Sequence, residues 1–189
     1  MTAQSSPGRG EGFTVLELMI TVFTATVILM LAVPAFLTIL QKNRVSSAAE
    51  QLYVSLAEAR GEALKRRDSV RVCPWVGTGN PSCRNDGDWS EGWVIFHDVD
   101  SDGSPDAGEI IKAVPGTSLA SGLSLGGDAN VEDFVEFGAT GATLDSGTTG
   151  VFQFCHTGLD VYWREIGISA SGRIEDNIYR LNCGDTGGG

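Results

Sequence analysis

The sequence predicts an α+β fold: one long N-terminal helix packed against a mainly antiparallel β-sheet head. Three observations carry this. Phe13 to Leu40 form an apolar run, FTVLELMITVFTATVILMLAVPAFLTIL, with one charge, Glu17, and one proline, Pro34. An apolar stripe at helical period follows it, and from Asp68 onward the period of the pattern changes to two.

The apolar run exceeds the ~20 residues a helix needs to cross a bilayer. A soluble surface helix of that length would carry a polar face, and this one carries none. Only 149 of the 189 residues follow Leu40, too few to surround a helix of this length. The run is therefore expected to be a membrane helix over residues 13–40. Two features set it apart. An unpaired carboxylate such as Glu17 costs roughly 2.5–3.5 kcal/mol at the centre of a membrane helix and calls for a partner. The preceding MTAQSSPGRGEG is polar and ends on Gly12. A secretory signal would instead place its small-residue cleavage site after the apolar segment. Pro34 removes the bond to the Met30 carbonyl and is expected to kink or locally melt the helix.

Residues 41–67 read as an amphipathic continuation. Val45, Ala49, Leu52, Leu56, Ala59 and Ala63 recur at steps of three and four, and the other faces carry charges. Lys65, Arg66 and Arg67 complement the C-terminal dipole and mark the end.

Residues 68–183 read as a β-rich head. Short runs rich in β-branched and aromatic residues predict strands at Ser69–Cys73, Trp93–His97, Glu109–Val114, Phe134–Phe137, Val151–Cys155, Tyr162–Ile168 and Ile178–Asn182. The Gly-rich stretches SGLSLGGDAN and GATGATLDSGTTG read as loops or turns. Residues 184–189, GDTGGG, read as a disordered tail. Trp75, Trp89, Trp93 and Trp163 are expected to pack in or at the edge of the core.

From Asp68 to the C-terminus there are six basic residues against nineteen acidic ones, so the head repels polyanions. The four cysteines, Cys73, Cys83, Cys155 and Cys183, suit an exported domain and allow three pairings. Sequence-near pairing, Cys73–Cys83 and Cys155–Cys183, is the expectation. No Cys-x-x-Cys pair supports a zinc site.

One constellation points to metal chemistry. DVDSDGSPDAGE, from Asp98 to Glu109, fits D-x-D-x-D-G-x5-E. Ca²⁺ takes six to eight oxygens, and Asp98, Asp100, Asp102, the Ser104 carbonyl, Asp106 and a bidentate Glu109 would supply them, with Gly103 making the sharp turn. Strands rather than helices flank the loop, and Pro105 departs from the pattern, so this is at most an EF-hand-like loop holding a structural Ca²⁺. The alternative is a solvated acidic hairpin.

Gly12-Phe13-Thr14-Val15-Leu16-Glu17 resembles the class III signal of type IV pilins and type II secretion pseudopilins. That resemblance implies the type IV pilin fold, with residues 1–12 a leader cleaved by prepilin peptidase between Gly12 and Phe13, and Phe13 methylated as the new N-terminus. It implies that Glu17 meets the N-terminal amine of a neighbouring subunit during assembly. A proline near position 34 is common in such proteins. NRVSSAAEQLYVSLAEARGEALKRRDSVRVC, the Cys73-Pro74 pair with its second cysteine, and DW-x-x-GWVIF-x-D look like the FimT/FimU minor pilins and the related GspH pseudopilins, over about Gly12–Asp106. ISASGRIEDNIYRLNC resembles the closing strands. The cysteine pattern favours the FimT/FimU branch.

The implied function is a minor pilin that helps prime pilus assembly, anchored once in the bacterial inner membrane with a periplasmic head. Its partners would be other pilins or pseudopilins, the peptidase and the inner membrane. The runner-up is a GspH-type pseudopilin of a type II secretion system. Some FimT-type proteins bind DNA through Gly-Arg-x-Arg. Here Gly172-Arg173-Ile174-Glu175 replaces the second arginine with glutamate, which together with the acidic head argues against DNA capture. Neither His97 nor His156 sits in a recognisable Ser/His/Asp or Cys/His arrangement, so no catalysis is expected.

Overall fold

The computed structural model describes residues 13–76, 79–116, 122–144, 149–156 and 163–179. One helix, α1 (Val15–Arg66), leads into eight strands: β1 (Val70–Pro74), β2 (Gly92–Phe96), β3 (Ile110–Pro115), β4 (Leu123–Gly127), β5 (Val135–Phe137), β6 (Gly150–His156), β7 (Trp163–Ile168) and β8 (Ile174–Tyr179). The chain divides into two compact units, Met1–Thr38 and Ile39–Gly189.

In the first unit, α1 is exposed throughout its apolar length. It is long and apolar enough to cross a membrane, with an 18-residue stretch of mean hydropathy 2.3. The local melting expected at Pro34 does not occur: α1 stays helical through it. The proline ring fixes φ near a helical value, so it removes one hydrogen bond without forcing the chain out of the helix.

In the second unit, Val45, Ala49, Leu52, Leu56, Ala59 and Ala63 are all buried, as the stripe predicts, and Ala48 and Ser55 join them. The helix stops where Arg67 turns left-handed, at φ 57°. Asp68 N–H then donates to the Ala63 carbonyl at 3.3 Å, which caps the last turn. Lys65 and Arg66 both pair with Glu62.

Two four-stranded antiparallel sheets follow, in the orders β3-β2-β1-β5 and β4-β6-β7-β8. Trp93 and Ile95 of β2, Val70 and Val72 of β1, and Phe152 and Phe154 of β6 share one core with the helical stripe. Trp89 stands edge-on to Phe152, ring centres 4.8 Å apart, and its indole N–H donates to the Glu132 carbonyl. On the other face of the first sheet, Cys73, Trp75, Val94 and Phe96 form a smaller cluster. Trp75, Trp89 and Trp93 are thus packing residues. Two strand expectations differ from the structure. The SGLSLGGDAN loop contains β4, and the last strand starts at Ile174 rather than Ile178, while 180–182 lie outside the described residues.

Candidate functional site

Two regions carry functional features. The first is the start of α1. Thr14 precedes the helix, and its Oγ1 accepts the Glu17 amide at 3.2 Å. Thr14 is therefore an N-cap with a glutamate at N3, the residue pattern of a capping box. Further along, the hydroxyls of Thr21, Thr24, Thr26 and Thr38 each donate to a carbonyl three or four residues back. Those polar groups are satisfied within the helix. Glu17 is left as the one charge of the 13–40 run, on an exposed first turn beside Phe13, itself 83% exposed. Gly12 lies outside the described residues.

The second region is the loop between β2 and β3. Asp98 is buried, and one carboxylate oxygen from each of Asp98, Asp100 and Asp102 lies within 4.8 Å of the others. Oxygens on a single Ca²⁺ lie no more than about 5 Å apart, twice the bond length, so these three fit one ion. Backbone amides hold the ring in shape. Asp98 Oδ1 accepts the Asp102 amide at 3.1 Å and its Oδ2 the Gly103 amide at 3.0 Å. Asp102 Oδ1 accepts the Ser104 amide at 2.7 Å. Glu109 reaches back to the Val99 amide with Oε1, at 2.7 Å, and to the Asp106 amide with Oε2, at 3.3 Å. Ser104, Asp106 and Glu109 therefore lie along the same loop, but the group whose oxygens converge is Asp98, Asp100 and Asp102.

Charge crowds this loop. The Asp102 amide pulls the Asp100 pKa down, but partial desolvation and the charges of Asp102, Glu109 and Asp106 outweigh it and leave it raised. One cation offsets the crowding from below. Arg71 of β1 places Nη1 3.8 Å from Asp98 and Nη2 3.0 Å from Glu136, and its guanidinium lies 4.5 Å over the Phe134 ring. Gly103 takes φ +80°, a left-handed backbone that favours glycine, and a Cβ there would lie 2.8 Å from Arg71 Nη1, so a side chain would displace the tip of that guanidinium. The Cys73–Cys83 disulfide is formed as expected, and Cys83 Sγ lies 3.7 Å from the Gly103 carbonyl oxygen. Cys183, the expected partner of Cys155, lies outside the described residues.

A profile of the family described as "Type II transport protein GspH" matches residues 48–172. The chain belongs to the GspH family. A crystal structure of the type IV minor pilin FimU from Pseudomonas aeruginosa matches at 28% identity and a TM-score of 0.58, covering 72% of this chain and 90% of that one. A second crystal form of FimU matches at 26% identity and 0.54, covering 70% and 91%. The minor pseudopilin EpsH from the type 2 secretion system of Vibrio cholerae matches at 12% identity and 0.49, covering 71% and 97%. A comparison with curated protein sequences found no match.

The fold of this GspH-family chain is the one its sequence resemblance implies: a long N-terminal helix with antiparallel sheets, as in FimU. At Gly172–Glu175, Arg173 is exposed and pairs with Glu175. His97 pairs with Asp68 at 2.9 Å, and His156 is buried. Sequence reasoning overlooked Thr14 and Arg71. The T-x-x-E spacing of Thr14 and Glu17 signals the cap. Nothing local signals Arg71, whose partners lie 27 and 65 positions away.

Proposed function

We propose that this chain is a minor subunit of a type IV pilus, a non-catalytic assembly protein that helps initiate or cap the fibre. The observation that carries the reading is the F-T-V-L-E start, capped at Thr14, on an exposed apolar helix whose head resembles FimU. Prepilin peptidase cuts between Gly12 and Phe13 and methylates the new N-terminus. The apolar helix first holds the precursor in the inner membrane, with the head in the periplasm. It then packs among the helices of neighbouring pilins, where Glu17 pairs with a neighbour's Phe13 amine. That pairing supplies the partner a carboxylate needs in hydrocarbon. Glu17→Ala should leave membrane insertion intact and reduce recovery of the chain with sheared fibres. Normal recovery of this variant would remove the charge-pair role.

The match to the GspH profile favours a second reading, a pseudopilin of a type II secretion system. Deletion separates the two. Loss of surface pili supports the first and loss of protein secretion the second. The Arg173–Glu175 pair and the acidic head disfavour a DNA-uptake role.

The β2–β3 loop is proposed to hold a structural Ca²⁺ through Asp98, Asp100 and Asp102, with Ser104, Asp106 and Glu109 completing the shell. The ion would cross-link the hairpin and relieve the repulsion around Asp100. Ca²⁺ at 100 times its Kd should stabilise the fold by about 2.7 kcal/mol. Calorimetry and thermal melts of the full chain in detergent, in EDTA and in calcium, test this. Binding heat and a raised Tm, both diminished in Asp100→Asn, are expected. A flat titration with identical melts would leave the loop an acidic hairpin held by its own backbone amides and by Arg71.

A further inference from the structure

The first sheet has an edge strand, β3, beside α1. That strand forms one wall of an open trough of about 580 Å³, and the Leu40–Ser55 face of the helix forms the other. Val54 stands half exposed in the trough and Leu40 is also open to solvent. Along the other wall run Lys112 and Val114. Ser55, one of the residues lining the trough, is 1% exposed, and its buried hydroxyl has no hydrogen-bond partner among the described residues. A buried donor left unpaired costs about 1–3 kcal/mol, so an acceptor is missing from this position.

Among the described residues the edge itself is open: β3 pairs only with β2, so its outer backbone groups lack strand partners. Edge strands are commonly guarded by a free lysine. Here Lys112 is tied at 2.6 Å to Glu58 of the helix and does not guard the edge. A strand added to β3 would lie about 4.8 Å beyond it. It would cover Val54, bring peptide carbonyls toward Ser55 and satisfy the free edge. Two exposed charges line the same trough, Arg44 and Glu50, and neither has an ion pair among the described residues. Six residues apart on the helix, they are separated by about 9 Å along its axis. They favour an occupant with an acid at one end and a base at the other.

We propose that this trough seats an extended segment of a neighbouring pilin-fold subunit, which joins β3 as a fifth strand with an acidic residue toward Arg44 and a basic one toward Glu50. The inference rests on the assembly reading above. Addition of a strand to a free sheet edge takes affinity from main-chain hydrogen bonds and specificity from side-chain pockets.

The test is photo-crosslinking in cells that express the full chain with its own assembly system. Benzoylphenylalanine replaces Val54, or Leu64 as an exposed control away from the trough, and the adducts are mapped by mass spectrometry. The expected adduct at Val54 joins an extended segment of another pilin-fold subunit, outside its N-terminal helix, and is absent at Leu64. In the Val54 background, Ser55→Ala should lower the adduct yield about fivefold, the effect of one lost hydrogen bond. The same substitution should leave the Tm of the isolated full chain unchanged or raised. Adducts to a helix or to lipid, no adduct, or a yield indifferent to Ser55→Ala would each overturn the proposal. Sheared fibres from the same cells are probed for the chain. Its presence there without a Val54 adduct overturns the docking and leaves the assembly reading standing, whereas its absence from fibres overturns both.

Discussion

Thr14 and Glu17 show how much a single side chain can decide. An N-cap side chain is worth about 1 kcal/mol of helix stability because it pairs an amide that has no partner inside the helix. At the start of α1 that amide belongs to Glu17, the residue on which the assembly reading depends. Thr14→Ala should therefore fray the first turn and raise hydrogen exchange at the Glu17 amide about fivefold in detergent micelles. Thr14→Ser keeps the acceptor and should exchange like the parent. Equal exchange in all three proteins would show that the cap contributes nothing. Gly103 makes a comparable point in the head. Its left-handed backbone favours glycine, and a side chain there would push aside the Arg71 guanidinium that sits beside Asp98.

At the level of elements, the acidic hairpin depends on what lies behind it. The disulfide joins the end of β1 to Cys83, ten residues on, and Cys83 abuts the Gly103 carbonyl. Closing a loop of this size stabilises by about 2–4 kcal/mol through the unfolded chain. Replacing both Cys73 and Cys83 by alanine should lower the stability by that amount in denaturant titrations, and an unchanged midpoint would contradict it. How far the elements were legible depended on whether their pattern was local. The stripe Val45 to Ala63 and the alternation of β6 were written in the sequence, because burial there follows the period of a single element. β4 was not. Its LSLGG reads as a loop, and it is a strand because Leu123–Gly127 pairs residue by residue with β6. β8 was shifted for the same reason. Its polar stretch Glu175-Asp176-Asn177 has no strand alternation, but it pairs with β7, and Arg164 binds Asp176 across that register. The candidate metal residues were legible as a spacing. The Arg71 clamp was not, because only the tertiary fold brings β1 under the loop.

For the whole molecule, the distribution of burial separates anchoring from folding. Every buried hydrophobic residue described lies at or beyond Val45, while residues 13–38 are exposed along their length. The core of the second unit is thus built from residues at or beyond Val45. The exposed apolar side chains of the first unit form a surface of the kind that marks a lipid or protein contact. A chain that begins at Ile39 should fold cooperatively in aqueous buffer, kept soluble by its excess of acidic residues. Its Tm should fall within about 2–4 °C of the full chain's in detergent, the shift that 1 kcal/mol produces in a domain of this size. Near-ultraviolet circular dichroism would report whether Trp89 and Trp93 keep their packed environment. A broad, non-cooperative melt of the shortened chain would mean that the apolar unit supports the head, and that membrane anchoring and folding are one property rather than two.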